Sequence, residues 1–371
     1  MPFADELLGS DAVLGLAEVI EAAAPGTAAE KVRASAGSLA PLALRDRAHL
    51  VKDAVLADVP GTVDDLAVLV RRCLHDESFT GWMIWPVTEA VSARAIAAGS
   101  DAALDTALDL QAELTGRLTA EFAVRPLLSH DLDRSLAAAL RWTRSDDEHV
   151  RRLASEGTRR HLLWGTQVTG LSADPTVTLP ILDALYRDES EYVRRSVANH
   201  LNDLSRKNPE VTVETARRWL EAPAPTTLQL VRHALRTLVK RGDPDALALL
   251  GYAPTPDVVA ELTLEATEVR VGEALGLTAT VHNGGVGAAR VVVDYVVHHR
   301  KANGSQTTKV FKLTTADLSP GETLRLGRRH SFKVITTRRY HPGAHAVELQ
   351  VNGVAAGRRD FELLPADDAP V

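Results

Sequence analysis

The chain has 371 residues, 45% of them hydrophobic and 25% charged, with a formal net charge of −7. That is ordinary soluble composition, long enough for two or three domains. No run of about 18 uncharged apolar residues occurs, the opening MPFADELLGSDAVLGLAE has acids and no basic segment, and Cys73 is the one cysteine. A transmembrane helix, a secretory signal, an intrachain disulfide and a cysteine-based zinc site are therefore not expected, and a reducing, cytosolic compartment is.

From the N-terminus to about residue 251 the chain is rich in Ala and Leu with helical periodicity. Helices are expected at 11–23, 27–38, 44–58, 62–75, 84–97, 102–120, 131–143, 147–164, 176–187, 191–206, 211–221 and 226–240. Pro25-Gly26, Pro60-Gly61, Pro126, Pro175, Pro209 and Pro223-Ala224-Pro225 punctuate them. Short connections suit stacked antiparallel helices. Past Gly251-Tyr252-Ala253-Pro254 the pattern changes to alternating β-branched runs, from VVAELTLEATEVRV through ARVVVDYVVHHRK to RRDFELL. About seven short strands, with turn signals such as Asn303-Gly304, Pro320-Gly321 and Asn352-Gly353, predict an antiparallel β-sandwich. The region has neither a cysteine pair nor a tryptophan, so it is Ig-like in architecture only. The expected domains are 1–251 (helical), 252–364 (sandwich) and a tail at 365–371.

Two segments repeat. DDEHVRRLASEGTRRHLLW at 146–164 and ESEYVRRSVANHLNDLSRK at 189–207 share an acidic start, Val-Arg-Arg and an amphipathic helix; LVRHALRTLVKR at 230–241 is a looser copy. Val150, Val193 and Val231 are spaced by 43 and 38 residues, near the roughly 40–47 of HEAT-like repeats. The fold class is thus mostly α, a HEAT-like solenoid with a concave surface, followed by the sandwich.

On a helix over 147–164, Val150, Leu153, Ala154, Gly157 and His161 make the packing stripe. Arg152, Glu156, Arg160 and Trp164, four apart, make a second stripe facing away from the core. In the next repeat Arg195, Asn199, Asp203 and Lys207 run four apart, and Arg232, Arg236 and Lys240 extend the cationic row. The acid excess sits elsewhere: residues 1–125 hold 19 acids against 10 bases, and the rest is near balance. Cations hold phosphates without reading sequence. A carboxylate among them makes sense where positive charge develops, as on a sugar during N-glycosidic cleavage. A Trp face attracts the same cation. The same rows also read as a solvated salt-bridged face, Trp164 as a packing anchor, and Asp203 as a partner of Lys207.

Other features carry less. Glu121 reads as a surface acid, and Trp82 and Trp85 as packing aromatics. His298 and His299 point to opposite faces of a strand, a poor metal site. Arg325, Arg328, Arg329, Lys333, Arg338, Arg339 and Tyr340 make the later strands basic, either as edge protection or as a DNA-backbone contact. HExxH, GxSxG, Walker A and GxGxxG are all absent.

The segments HVRRLASEGTRRHLLWG, LYRDESEYVRRSVANHLNDLSRKNPE and LVRHALRTLVKRGDPDALALLG resemble the AlkC branch of bacterial DNA alkylation repair enzymes, which is similar to the AlkD branch in using HEAT-like repeats. The likeness is dense over about 120–251 and looser before it, and the C-terminal strands resemble the Ig-like domain of some AlkC-type members. It implies a monofunctional DNA glycosylase that removes cationic N-alkylated bases such as 3-methyladenine and 3-methylcytosine from duplex DNA without full base extrusion. Carried over, Glu156, Asp203 and Glu121 are the acids facing the lesion and Trp164 the aromatic beside them. Arg152, Arg159, Arg160 and Lys207 flank the site. Arg206-Lys207 stands where a Ser-Lys pair is common. Arg195, Arg232, Arg236 and Lys240 are the further backbone contacts. No metal or organic cofactor is expected, nor a membrane; the partner is alkylated duplex DNA, bound by a monomer in the cytoplasm at the nucleoid. The alternatives are a non-catalytic DNA-structure-binding scaffold and a protein-interaction solenoid.

Overall fold

The computed structural model describes residues 4–335 and 339–366. The chain folds as two compact units. One runs to Thr212 and takes in Arg218–Ala234; the other comprises Val213–Arg217 and everything from Leu235 on.

The first unit is helical. Its helices are α1 Ala4–Leu7, α2 Ser10–Ala23, α3 Glu30–Ser35, α4 Leu44–Asp58, α5 Val63–Cys73, α6 Ile84–Ala98, α7 Asp101–Leu114, α8 Val124–His130 and α9 Leu132–Trp142. Then follow α10 Glu148–Glu156, α11 Thr169–Ala173, α12 Leu179–Leu185, α13 Glu191–Leu204, α14 Pro209–Glu221 (apart from Val213–Arg217) and α15 Thr227–Ala234. Helices α10, α13 and α15 pack side by side, with α12 against the first two. They bury Val150 and Leu153, then Val193, Val197 and Leu201, then Leu230 and Val231.

The repeat is visible at atomic level. Arg151 Nη1 turns back to the carbonyls of Ser145 and Asp146 (3.0 and 2.9 Å). Arg194 Nη1 does the same to Asp188 and Glu189 (2.6 and 2.7 Å). The first arginine of each Val-Arg-Arg thus staples the turn that starts its own helix, while the second is left for other work. Arg151 also pairs with Asp188 (2.7 Å), tying one repeat to the next.

Several expected helices are shorter than their periodicity suggests, among them 27–38 (Glu30–Ser35), 102–120 (Asp101–Leu114) and 176–187 (Leu179–Leu185). The one expected over 147–164 stops at Glu156. Gly157 lies where an added Cβ would sit 2.6 Å from Val124 Cγ2. Beyond it the buried Arg125 guanidinium donates to the carbonyls of Gly157 (3.2 Å), Arg159 (2.8 Å) and Thr166. A side chain thus satisfies carbonyls that a continuing helix would have satisfied itself. The helix expected over 226–240 divides at Leu235 into α15 and α16 Arg236–Arg241.

Helix α16 and α17 Pro244–Leu249 belong with the second unit. Its strands are β1 Val258–Leu264, β2 Glu268–Arg270, β3 Ala274–Asn283, β4 Ala289–Arg300, β5 Gln306–Leu318, β6 Thr323–Ser331, β7 Gly343–Val351 and β8 Val354–Leu364. They form sheets ordered β1-β3-β6 and β2-β8-β7-β4-β5, antiparallel except for β2 against β8. Leu277, Val281, Val293, Tyr295, Val347 and Phe361 fill the core of the sandwich. The sequence ARVVVDYVVHHR of β4 is buried almost throughout, on both faces, as expected of a covered central strand. The segment 242–253 packs on this unit: Gly242 (φ +73) would bring a Cβ to 2.8 Å from the Gly353 carbonyl, and Asn352 Nδ2 donates to Ala253 O (2.8 Å). His298 pairs with Glu348 (2.9 Å) while His299 is buried. Strand β6, carrying Arg325, Arg328 and Arg329, is an edge. Arg338 and residues 367–371 of the expected tail lie outside the described residues. No helix among the described residues is long and apolar enough to cross a membrane.

Trp219 of α14 is buried, stacks on Tyr186 (ring centroids 5.0 Å apart, 3° between planes) and donates to Asp183 (2.7 Å). Truncating a buried aromatic removes its burial and leaves a cavity. Trp219→Ala is expected to lower unfolding free energy by about 3–5 kcal/mol, read as a lower urea midpoint; an unchanged midpoint would show that the stack contributes little.

Candidate active site

Helix α10 delivers Arg152 and Glu156, the loop after it Arg159 and Arg160, helix α13 Ser196 and Asp203, and the turn before α8 Glu121. They meet as an alternating chain of charge. Arg152 Nη1 donates to Glu121 Oε2 (2.9 Å), and its Nη2 lies 3.8 Å from Glu156 Oε2. Arg159 Nη1 donates to Glu156 Oε1 (2.5 Å), and its Nε to Asp203 Oδ2 (2.8 Å). Ser196 Oγ donates to Glu156 Oε2 (2.6 Å), and Thr119 Oγ1 to Glu121 Oε2 (3.0 Å). Three carboxylates thus alternate with two guanidiniums, one negative charge in excess. Glu121, Glu156, Arg159 and Asp203 border a cleft of about 470 Å³, also lined by Arg125, Arg160, His161, Leu163, Gln167 and Arg206.

The expected solvated face is corrected here. Glu156 is 6% exposed and Asp203 4%. A row at i, i+4 spacing needs an unbroken helix, and α10 ends at Glu156. The cation that reaches Glu156 from downstream is Arg159, from the loop. Arg160 is buried, with Nη1 3.4 Å from Asn208 Oδ1. Trp164 is 45% exposed, does not line the cleft, and takes a left-handed backbone (φ +65) with its carbonyl accepting from Arg45.

Burial and charge set the two inner acids apart. Burial pushes the Glu156 carboxyl up, but Arg159, Arg152 and Ser196 together outweigh it and hold it below the usual carboxylate range. At Asp203 burial outweighs Arg159, and the carboxyl sits above its usual range. Burial lowers His161 and drives the fully buried His200, whose Nδ1 meets Ser155 O at 2.9 Å, down to about 4.

Of the cations expected to touch a backbone, Arg152, Arg159 and Arg160 are at the acids. Lys207 is exposed just beyond Arg206. Arg195 is exposed and lines a separate groove between α13 and α15 with Glu191, Arg194, Gln229 and His233. Arg232 is exposed on α15; Arg236 and Lys240 lie on α16 in the second unit. Sequence reasoning missed Arg125, Ser196 and Tyr192. Arg125 is 1% exposed and pushed down to about 10 by burial, with Arg159 adding to the effect. The Tyr192 ring lies under the Arg152 guanidinium at 4.9 Å. Only Ser196 had a signal, beside the repeated Val-Arg-Arg. Among the described residues no group of three or more His, Cys, Asp or Glu could hold a metal ion.

Known proteins share this arrangement of elements. Residues 118–236 match the family model "DNA alkylation repair enzyme", and residues 258–365 match "Uncharacterised protein YhaZ, C-terminal Ig-like domain". The YhaZ protein of Bacillus subtilis (strain 168) is 40% identical over 246 residues, 66% of this chain and 68% of that protein. The structure of Pseudomonas fluorescens alkylpurine DNA glycosylase AlkC, bound to DNA containing an abasic-site analogue, superposes with a TM-score of 0.85 at 32% identity, covering 98% of this chain and 99% of that one.

The opposed shifts predict opposite pH behaviour. Glu156, held low, adds stability above the usual carboxylate range that is lost as pH falls through its folded value; Asp203, held high, binds its proton earlier in the folded chain, so its contribution improves as pH falls. Thermal midpoints taken from about pH 7 to about pH 3 should show the Glu156→Gln deficit narrowing and the Asp203→Asn deficit widening. Parallel curves would contradict the assignment.

Proposed function

The chain belongs to the DNA alkylation repair enzyme family, and from that premise we propose that it is a monofunctional DNA glycosylase. It excises cationic N-alkylated bases, 3-methyladenine and 3-methylcytosine among them, from duplex DNA without full base extrusion. The observation that carries the reading is the Glu121–Arg152–Glu156–Arg159–Asp203 chain, with Glu156 and Asp203 buried at a cleft that arginines also line. In this reading the helical region is a HEAT-like solenoid acting as a monomer in the cytoplasm, and Arg195, Lys207, Arg232, Arg236 and Lys240 meet phosphates.

A base alkylated on a ring nitrogen is already a cation, so cleavage needs no strong acid. The N-glycosidic electron pair leaves with the base, which departs neutral, and the positive charge passes to the sugar. Carboxylates preorganised in a low-dielectric cleft stabilise that charge more than water does. Glu156, kept ionised by its two arginines, supplies the fixed negative charge. Asp203, made more basic by burial, accepts a proton from the water that attacks the sugar carbon. Glu121 holds Arg152 against Glu156, and Trp164 contributes its face to the nucleotide. No lysine is among the described residues lining the cleft, so the proposal contains no Schiff-base lyase step.

Purified protein incubated with methylated duplex DNA should release 3-methyladenine or 3-methylcytosine above the spontaneous rate, assayed by chromatography. Glu156→Gln and Asp203→Asn should each reduce single-turnover excision about 10²–10³-fold, the scale of losing one preorganised stabiliser, while duplex binding stays salt-sensitive. No release with salt-sensitive binding intact would favour a DNA-structure-binding scaffold. Neither release nor binding would favour a protein-interaction role.

A further inference from the structure

Leu162, Leu163, Trp164 and Gly165 form a β-turn at the acid cleft, closed by Gly165 N–H to Leu162 O (3.1 Å). Leu163 and Trp164 occupy its two corners, and Trp164 carries the positive φ of +65, the conformation that a type II turn demands at its third position. Glycine or asparagine normally stands there; a tryptophan is strained. Such strain persists only where the surroundings impose it, and side chains tie the chain before, within and after this turn. Arg125 grips the carbonyls of Gly157, Arg159 and Thr166, and Arg45 grips that of Trp164. At Gly165 a Cβ would lie 2.8 Å from Arg125 Cδ and 3.0 Å from Leu162 Cβ. The tip, by contrast, is bare: Leu163 is 78% exposed and Trp164 45%. Leu163 borders the same cleft as Glu156 and Asp203, among Arg159, Arg160 and Arg206.

We propose that this turn is a wedge, with Leu163 entering the base stack next to the lesion and Trp164 bearing on the exposed nucleotide beside it; the proposal rests on the glycosylase reading above. Two large apolar side chains held out rigidly, amid cations that suit phosphates, fit an occupant that is anionic outside and flat and apolar within. A duplex base step is that occupant. The need for a wedge follows from burial. Glu156 and Asp203 are too enclosed to reach into a straight duplex, so the duplex must open toward them, and an apolar side chain between base steps unstacks and kinks DNA.

The test uses full-length protein and a duplex bearing a single 3-methylcytosine, with 2-aminopurine as its neighbour. Wild-type binding should raise 2-aminopurine fluorescence, and Leu163→Ala should abolish the rise. Single-turnover excision by Leu163→Ala should fall about 10–100-fold on the paired duplex, the scale of an uncompensated unstacking. It should return close to wild type when the complement carries an abasic spacer opposite the neighbouring base, so that the stack is already weak. Leu163→Met should behave as wild type. An undiminished fluorescence rise in Leu163→Ala, or an equal loss of excision on both duplexes, would overturn the wedge. Should wild-type protein release no base, the glycosylase reading falls, and the fluorescence arm still decides the wedge.

Discussion

Arg159 is the contact on which the site depends. One guanidinium reaches the carboxylates of two different repeats, Glu156 at the end of α10 and Asp203 near the end of α13, and holds both out of water. A buried carboxylate without a cation costs several kcal/mol; Arg159 is the hydrogen-bonded cation of Asp203 and one of two arginines, with Arg152, that meet Glu156. Its reach depends in turn on the abrupt end of α10. Had the helix continued, residue 159 would have been carried around the helix axis instead of lying flat between two repeats. Arg125, by taking the carbonyls that a longer helix would have used, makes that ending stable.

The same loop therefore does three things. It terminates a helix, it supplies the central cation, and it raises an apolar turn at the mouth of the cleft. Each draws on Arg125, whose enclosed guanidinium has its hydrogen bonds directed at main-chain carbonyls of the loop. The pairing of a Glu156 held low with a more basic Asp203 follows from how many cations each meets. Glu156 has two arginines and a hydroxyl; Asp203 has Arg159 as its hydrogen-bonded partner and comparable enclosure. Environments that push neighbouring carboxyls apart allow a division of labour between charge stabilisation and proton transfer.

The second unit follows a different logic. Its central strand β4 is buried on both faces: Val291, Val293, Tyr295 and Val297 enter the sandwich core, and the opposite face carries Val292, Asp294 and Val296. The close Gly242–Gly353 approach marks where the segment after α16 seats on the turn between β7 and β8. The expected boundary at Gly251 rests on a change of periodicity, from helical to alternating, and periodicity reports secondary structure. Packing is a separate matter, and the helices α16 and α17 pack with strands.

Much was legible in the amino-acid order alone. Helical periodicity giving way to alternation near residue 251 determined a helical region followed by a sandwich, because spacing of apolar residues reflects which face of an element is buried. The doubled Val-Arg-Arg segments marked equivalent helices and singled out Arg152, Glu156 and Asp203; Arg159 entered through the family resemblance. What the order of residues did not determine was where α10 stops. Local propensity through TRRHLLW permits another two turns of helix, and the opposing influence, Arg125, is 32 residues from Gly157 in the chain. The acids consequently read as a solvated stripe and proved to be enclosed, and Trp164, read as their neighbour one turn on, proved to stand on a strained turn. Only the tertiary structure decided these points, since ion pairs between repeats and hydrogen bonds to a loop's carbonyls are set by which distant residues meet.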